Sequence, residues 1–175
     1  MLCEVAETKT KQKRNVQKKA KNENMISFKA TDGDVIDVEA EFALKHVGLA
    51  WTLMSDATPS AVGSADEVIE LKSPACDGEA VRFVIELEKQ PENVARTLVV
   101  NELRLRRSQP LSDSNHLAYR ALATADFMDC PLAMDAISCF LAEEMDQCAT
   151  FSEMQTRLGF GIKKTGSPQT QDQTP

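Results

Sequence analysis

The stretch MISFKATDGDVIDV at residues 25–38 decides the fold class, because it holds two short segments of alternating hydrophobicity around a turn signal. Over residues 25–30 apolar side chains alternate with polar ones, which is the two-residue period of a half-buried β-strand. The pair Asp32-Gly33 then favours a tight hairpin turn, whose central positions need positive φ angles. Apolar residues over 35–38 predict the return strand, so the domain is expected to begin with a β-hairpin.

The next segments predict a helix, a short strand and a second helix. Apolar residues at three- and four-residue spacing predict a helix over 41–54, with Trp51 on its apolar face and Gly48 as an unfavourable interior residue. A short strand is predicted over 68–71. Asp77 is the predicted N-cap of the helix that follows.

The residues from 92 to 110 are the hardest to interpret, because they match neither the helical nor the strand period over a long run. The segment 97–100 favours a strand, whereas 102–107 is compatible with a helix or a strand. After them, Ser112 or Asp113 is expected to cap a clear helix that continues to Met128.

Two further helices are predicted before the chain becomes polar. Pro131 stands where a helix tolerates proline, in its first turn. Thr150 and Glu153 form a capping box at the start of a short helix, and Gly159 is at the expected position of its end. The predicted architecture is therefore an α+β domain with a C-terminal helical extension, followed by a disordered tail over 161–175.

The formal net charge of −7 over 175 residues conceals a division between the N-terminal segment and the rest. Residues 1–24 hold seven of the 20 basic residues and three of the 27 acidic ones, and are expected to form a disordered basic tail. The remaining chain has 13 basic and 24 acidic residues, which gives it a net charge of −11. An acidic domain disfavours nucleic acid and suits a basic protein partner.

Cysteine spacing and hydropathy indicate the cellular compartment in which the protein is expected. No run of about 20 apolar residues is present, so we expect neither a membrane span nor a signal peptide. The five cysteines form no closely spaced pair, which disfavours structural zinc and disulfides and predicts the cytoplasm, the nucleus or both. Cys130, Cys139 and Cys148 recur every nine residues, and we interpret them as small buried hydrophobic residues.

The sequence does not predict catalysis. Ser112, Asp113, Ser114 and His116 have the composition of a catalytic cluster, but N-capping explains polar residues at a helix start better. The common metal, dinucleotide and phosphate motifs are missing from the sequence. We therefore expect a non-enzymatic protein that needs no cofactor.

Five segments, taken together and in order, resemble the Skp family of SCF ubiquitin-ligase adaptors and its relative elongin C. They are ISFKATDGD at 26–34, HVGLAWTLM at 46–54, VIEL at 68–71, ADFMDC at 125–130 and the segment 151–160. Each segment is weakly specific, and their common order carries the resemblance.

The resemblance implies a BTB/POZ-like core over 25–130 and C-terminal helices over 131–160 that bind F-box motifs. It implies a non-catalytic adaptor that links an F-box-type substrate receptor to a cullin. The candidate cullin-binding residues are Asp126, Phe127 and Met128. The candidate F-box-binding residues are Phe140, Met145, Phe151, Met154, Leu158 and Phe160. Truncation after Cys130 is expected to remove receptor binding and to leave cullin binding largely intact.

Two alternatives stay open at this point. An elongin C-like adaptor would not need the residues after Cys130, whose presence favours the Skp branch. A self-associating BTB scaffold would form a stable homo-oligomer. The chain departs from the Skp pattern at Asp126, where Asn is usual, and over 161–175, where the last Skp helix has no counterpart.

Overall fold

The computed structural model describes residues 25–55, 68–106 and 110–159. The expectations for the tails 1–24 and 161–175 and for Phe160 lie outside these ranges. The strands are β1 (Met25–Lys29), β2 (Val35–Glu39) and β3 (Val68–Glu70). The helices are α1 (Ala40–His46), α2 (Gly48–Ser55), α3 (Gly78–Glu88), α4 (Glu92–Leu105), α5 (Leu117–Met128), α6 (Pro131–Asp146) and α7 (Phe151–Leu158). In the part of the chain so described, no helix combines the length and hydrophobicity needed to cross a membrane.

The three strands form one sheet in the order β2-β1-β3, and the predicted hairpin is confirmed. β1 pairs antiparallel with β2 and parallel with β3. Gly33 has a φ of 91° at the turn, which is the conformation that glycine allows. The inward residues of the sheet are buried, namely Ile26, Phe28, Ile36, Val38 and Ile69. The α+β class is thus established.

The predicted helix over 41–54 is in fact two helices. The break falls at Val47, whose extended backbone (φ −117°, ψ 98°) ends α1 and whose side chain is fully buried. Gly48 begins α2, and its N–H donates to the carbonyl oxygen of Asp129 at 3.0 Å. A Cβ added at Gly48 would lie 2.7 Å from the Cβ of Asp129. Glycine is therefore needed for the close approach of α2 to the end of α5.

The strand predicted over 97–100 is wrong, because these residues lie inside the helix α4. Ala95, Val99 and Leu103 recur at four-residue spacing and are buried, and α4 packs along α6. A hydrogen bond of 2.9 Å from Arg96 to Asp135 reinforces this pairing at the surface. Tertiary packing of one helix face thus overrides the strand preference of the β-branched residues.

The start of α5 also differs from the prediction, because its N-cap is His116 and not Ser112 or Asp113. Two successive turns occupy the preceding residues, with the N–H of Asp113 donating to Pro110 at 2.9 Å and that of His116 donating to Asp113 at 2.9 Å. The residues that were expected to begin the helix therefore lie in these turns.

Helix α6 belongs to the central hydrophobic core. Ala133, Ala136, Ile137 and Phe140 are buried in the same cluster as the residues of the sheet and of α3 to α5. At its N-terminus, the buried carboxylate of Glu88 accepts a hydrogen bond of 2.9 Å from the N–H of Ala133. These buried contacts indicate that the core needs α6, so we revise the expectation that a chain truncated after Cys130 keeps its cullin binding.

Helix α7 begins and ends as predicted. The Thr150 hydroxyl accepts from the N–H of Glu153 at 3.1 Å, and the Glu153 carboxylate accepts from the N–H of Ala149 at 2.9 Å. Gly159 ends the helix with a φ of 73°. The Tyr119 hydroxyl donates to the carbonyl oxygen of Leu158 at 2.8 Å, and this bond fastens the end of α7 to the beginning of α5.

Candidate functional site

The three candidate cullin-binding residues occupy the last turn of α5 and face different environments. Asp126 is exposed, and the Phe127 side chain is 39% exposed. Met128 is completely buried in the core. Because Met128 cannot reach a partner in this structure, its expected role in binding is corrected to that of a core residue. Asp126 and Phe127 remain available at the surface.

A second exposed aromatic residue lies on the helix next to this turn. Trp51 on α2 is 61% exposed, although the pattern had placed it on an apolar face. The reason is the break at Val47, which starts a new helix and changes the direction of the residues that follow. α2 meets α5 through the hydrogen bond between Gly48 and Asp129. Gly48 within an apolar helical pattern was the sequence signal that could have indicated the break.

The candidate F-box-binding residues divide between the core and the surface. Phe140 and Leu158 are buried, so in this structure they do not present an open surface to a receptor helix. Met145 is exposed on α6, Met154 is half-buried on α7, and Phe151 is 67% exposed at the start of α7. Phe160 lies outside the described residues. The partner-facing part of the set is therefore reduced to these three side chains.

A cavity of about 460 Å³ lies among the end of α4, the turns before α5, and the helices α6 and α7. Its lining includes three arginines, Arg104, Arg106 and Arg157, and the acidic residue Glu144. Glu144 is buried and contacts Arg157, while Arg104 approaches it at 3.4 Å. The Glu144 carboxylate on α6 thus forms one ion pair with Arg157 on α7 and another with Arg104 on α4, and it links these helices. Such a cavity is a site that the sequence alone did not indicate.

His116 lines the same cavity and is almost wholly buried. Its Nδ1 accepts from the N–H of Ala118 at 3.1 Å, which makes the ring the N-cap of α5. Burial lowers the pKa of His116, and the positive charge of Arg106 lowers it further. The ring is therefore held in its neutral form by its surroundings.

This arrangement predicts that the free energy of unfolding falls as the pH is lowered from about 7 to about 5. The unfolded chain takes up a proton on His116 near its ordinary pKa of 6.5, whereas the folded protein resists the proton. The unfolded state then binds more protons, so stability rises with pH through this window, by at most about 1.4 kcal/mol per pH unit for one proton.

Denaturant unfolding at several pH values measures this slope. In the variant His116→Asn, the side chain still offers a capping oxygen but no longer titrates, so the slope should be smaller than in the native chain. An unchanged slope in the folded variant would show that another group is responsible.

The remaining candidates for chemistry have structural roles. Asp113 Oδ1 accepts from the N–H of Asn115 at 2.9 Å within the turns before α5. Cys130 is buried, as the interpretation of this residue predicted, and burial raises the pKa of its thiol. Cys139 and Cys148 are half-buried and unpaired. Among the described ranges, no group of three or more His, Cys, Asp or Glu side chains is placed to hold a metal ion.

No protein-family model matches the chain, and no curated protein matches it. A functional assignment must therefore rest on the chain's own residues. They define an α+β domain with exposed aromatic side chains at the end of α5 and at the start of α7.

Proposed function

We propose that this protein is a non-catalytic adaptor that joins an F-box-type substrate receptor to a cullin in a ubiquitin ligase. The observation that carries the proposal is the position of Phe127, which is exposed at the end of a helix whose other apolar residues anchor it in the core. A large aromatic side chain held at the surface by a rigid helix is typical of the few residues that dominate a protein interface. The mechanism is positioning of a substrate beside the ligase.

The order of the secondary-structure elements also supports the proposed adaptor function, because it agrees with the resemblance to the Skp family. A hairpin, a helical segment, a short strand and consecutive helices follow one another in the sequence in which the five segments were compared. The net charge of −11 outside residues 1–24 also suits basic partner surfaces.

Two partners need two surfaces, and the helices provide them. The end of α7 is fastened to Tyr119 at the beginning of α5. Phe127 lies eight residues further along α5, or about 12 Å along the helix axis. Phe151, at the other end of α7, offers a second exposed aromatic residue beside Met154. We assign the Phe127 surface, which includes Asp126, to the cullin, and the Phe151 surface, which includes Met145 and Met154, to the receptor.

The test compares Phe127→Ala with its matched control Phe151→Ala, both made in the full chain. Phe127→Ala should weaken binding of a purified cullin N-terminal domain by about tenfold or more, because interface aromatics carry a large share of the affinity. Phe151→Ala should weaken binding of an F-box peptide by a similar factor. Each variant should leave the other partner's affinity unchanged. Calorimetric titration of each partner gives the four dissociation constants.

Stability measurements separate binding from folding. Phe127→Ala should cost less than the roughly 3–5 kcal/mol typical of a fully buried Phe, because the ring is partly in solvent. An unfolded variant would refute the surface role. Absence of cullin binding in the native chain, with a homo-oligomer seen in size measurement, would instead favour a self-associating scaffold. F-box binding that is indifferent to α7 would favour an elongin C-like adaptor.

A further inference from the structure

The strand β2 lies at the edge of the sheet, and one of its two sides has no strand beside it in the part of the chain that the structure describes. Val35 lies opposite Lys29 in the register of β1 and β2. The carbonyl oxygen of Lys29 accepts from the N–H of Leu71 at 2.9 Å, so its backbone is turned toward β3 and away from β2. Hydrogen-bonded and non-hydrogen-bonded pairs alternate along an antiparallel ladder. The N–H and C=O groups of Val35 and Asp37 therefore point away from β1, toward the open edge.

The side chains at this open edge carry negative charge. Asp37 and Glu39 are exposed two residues apart on the solvent face of β2. The Asp37 carboxylate accepts from the Ser27 hydroxyl at 2.6 Å, and the ion pairs between described residues involve neither acid. An unpaired strand edge is a template for pairing with another strand. This edge favours a strand that has positive charges at two-residue spacing, because opposite charges attract across neighbouring strands.

The N-terminal segment contains a sequence that matches this edge. In the run TKTKQK at 8–13, Lys9, Lys11 and Lys13 recur at two-residue spacing, so a strand formed here would have all three on one face. The two threonines of the run favour a strand. The run contains no proline, so each of its residues has an N–H to donate.

We propose that residues 8–13 add to the open edge of β2 as a fourth strand of the sheet, with the three lysines on the same face as Asp37 and Glu39. The inference goes beyond the proposed adaptor function and is independent of it. The aliphatic parts of the lysine side chains would also cover Val35, which is 54% exposed. The new edge of the sheet would then be rich in lysine, and edge lysines are one means by which proteins avoid edge-to-edge association.

The connection between the two strands is long enough for this arrangement. β1 begins at Met25, opposite Glu39, and eleven residues, 14–24, separate it from Lys13. An extended chain of this length spans up to about 40 Å. The outer edge of β2 is two strand spacings, or about 10 Å, from β1. A tether also raises the effective concentration of the segment to about the millimolar range, which favours the chain's own segment over a second copy in dilute solution.

Amide hydrogen exchange in the full chain, followed by nuclear magnetic resonance, tests the proposal. The N–H groups of Ile36 and Val38 bond to β1 and are internal references for an intact sheet. In the native chain, raising the ionic strength from about 0.01 M to 1 M should speed exchange at Val35 and Asp37 but not at the references, because salt screens exposed charges. Exchange at Val35 and Asp37 should not depend on protein concentration. Protection that appears only as the concentration rises would assign the edge to a second copy and overturn the intramolecular pairing.

Two charge-reversal variants complete the test. The test variant changes the three alternating lysines, as Lys9→Glu, Lys11→Glu and Lys13→Glu. The matched control changes three other lysines of the same segment that do not alternate strictly, as Lys18→Glu, Lys19→Glu and Lys21→Glu. Both variants change the net charge equally.

The test variant should speed exchange of the Val35 and Asp37 N–H groups by about tenfold or more, because attractive pairs across the strands become repulsive. The control should exchange at close to the native rates, and the references Ile36 and Val38 should be unchanged in both variants. Equal rates in the native chain and the test variant, an equal effect of both variants, or insensitivity of the native chain to salt would overturn the proposal.

Discussion

A chain that ends at Cys130 should fail to fold. It lacks α6, whose Ile137 and Phe140 are buried in the central cluster against α4 and α5. Losing buried Ile and Phe side chains costs about 2–5 and 3–5 kcal/mol, respectively, which together approach the whole stability of about 5–15 kcal/mol of a typical domain. The buried carboxylate of Glu88 would also lose the N–H that it caps. Circular dichroism and thermal unfolding of the purified fragment would measure the loss.

The matched control is a chain that ends at Cys148, which removes α7 but keeps α6. Leu158 is the one described residue of α7 that is buried, and Glu144 keeps its contact with Arg104 at 3.4 Å. This shorter truncation should therefore fold with reduced stability and should bind cullin but not the F-box peptide. A cooperative, native-like transition in the chain that ends at Cys130 would show that the core closes without α6. In that case the original expectation for this fragment would be restored.

Substitution of Gly48 by alanine should destabilise the protein by about 1–3 kcal/mol, the usual cost of forcing atoms into a packed site. By helix propensity alone, the same change should stabilise α2, because alanine is the better helix former. The added Cβ would lie 2.7 Å from the Cβ of Asp129, which is much closer than two such atoms can approach. The close contact therefore determines the sign of the effect. Denaturant unfolding of the variant measures it.

The double variant Gly48→Ala with Asp129→Gly provides the control. Asp129 ends α5 with a φ of 53°, a conformation that glycine adopts without strain, so this second change should be tolerated. Removing the Asp129 side chain should recover most of the lost stability, and the two changes should be strongly non-additive. If Gly48→Ala is as stable as the native chain, or if the second change rescues nothing, the contact does not explain the glycine.

Four local features were predictable from the sequence. They are the hydrophobic alternation over 25–38, Asp77 as an N-cap, Pro131 in the first turn of a helix, and the capping box formed by Thr150 and Glu153. Each depends on interactions within a few residues, such as the Asp77 carboxylate accepting from the N–H of Ala80 at 3.0 Å. Local geometry of this kind is set by side-chain and backbone interactions between residues that are close together in the sequence. The α+β class follows from the order of these elements.

The division of 125–130 into surface and core could be predicted only in part. The sequence indicated the aromatic position at Phe127, but a helix of mostly apolar residues has no unique buried face in its pattern. The structure places Phe127 toward solvent and Met128 in the core because α5 packs between α3 and α6. The same packing buries Phe140, which was one of the candidate F-box-binding residues.

The sequence by itself determined the three strands, the starts of α3 and α6 and both ends of α7, because those boundaries are fixed by neighbouring residues. Only the tertiary structure decided that Gly48 must approach Asp129, and that Arg106 and His116 share one cavity. These pairs come together through the packing of α2, α4 and α5, over distances in sequence that no local preference can encode. The candidate binding surfaces depend on such long-range contacts, and their geometry therefore became visible only in the folded chain.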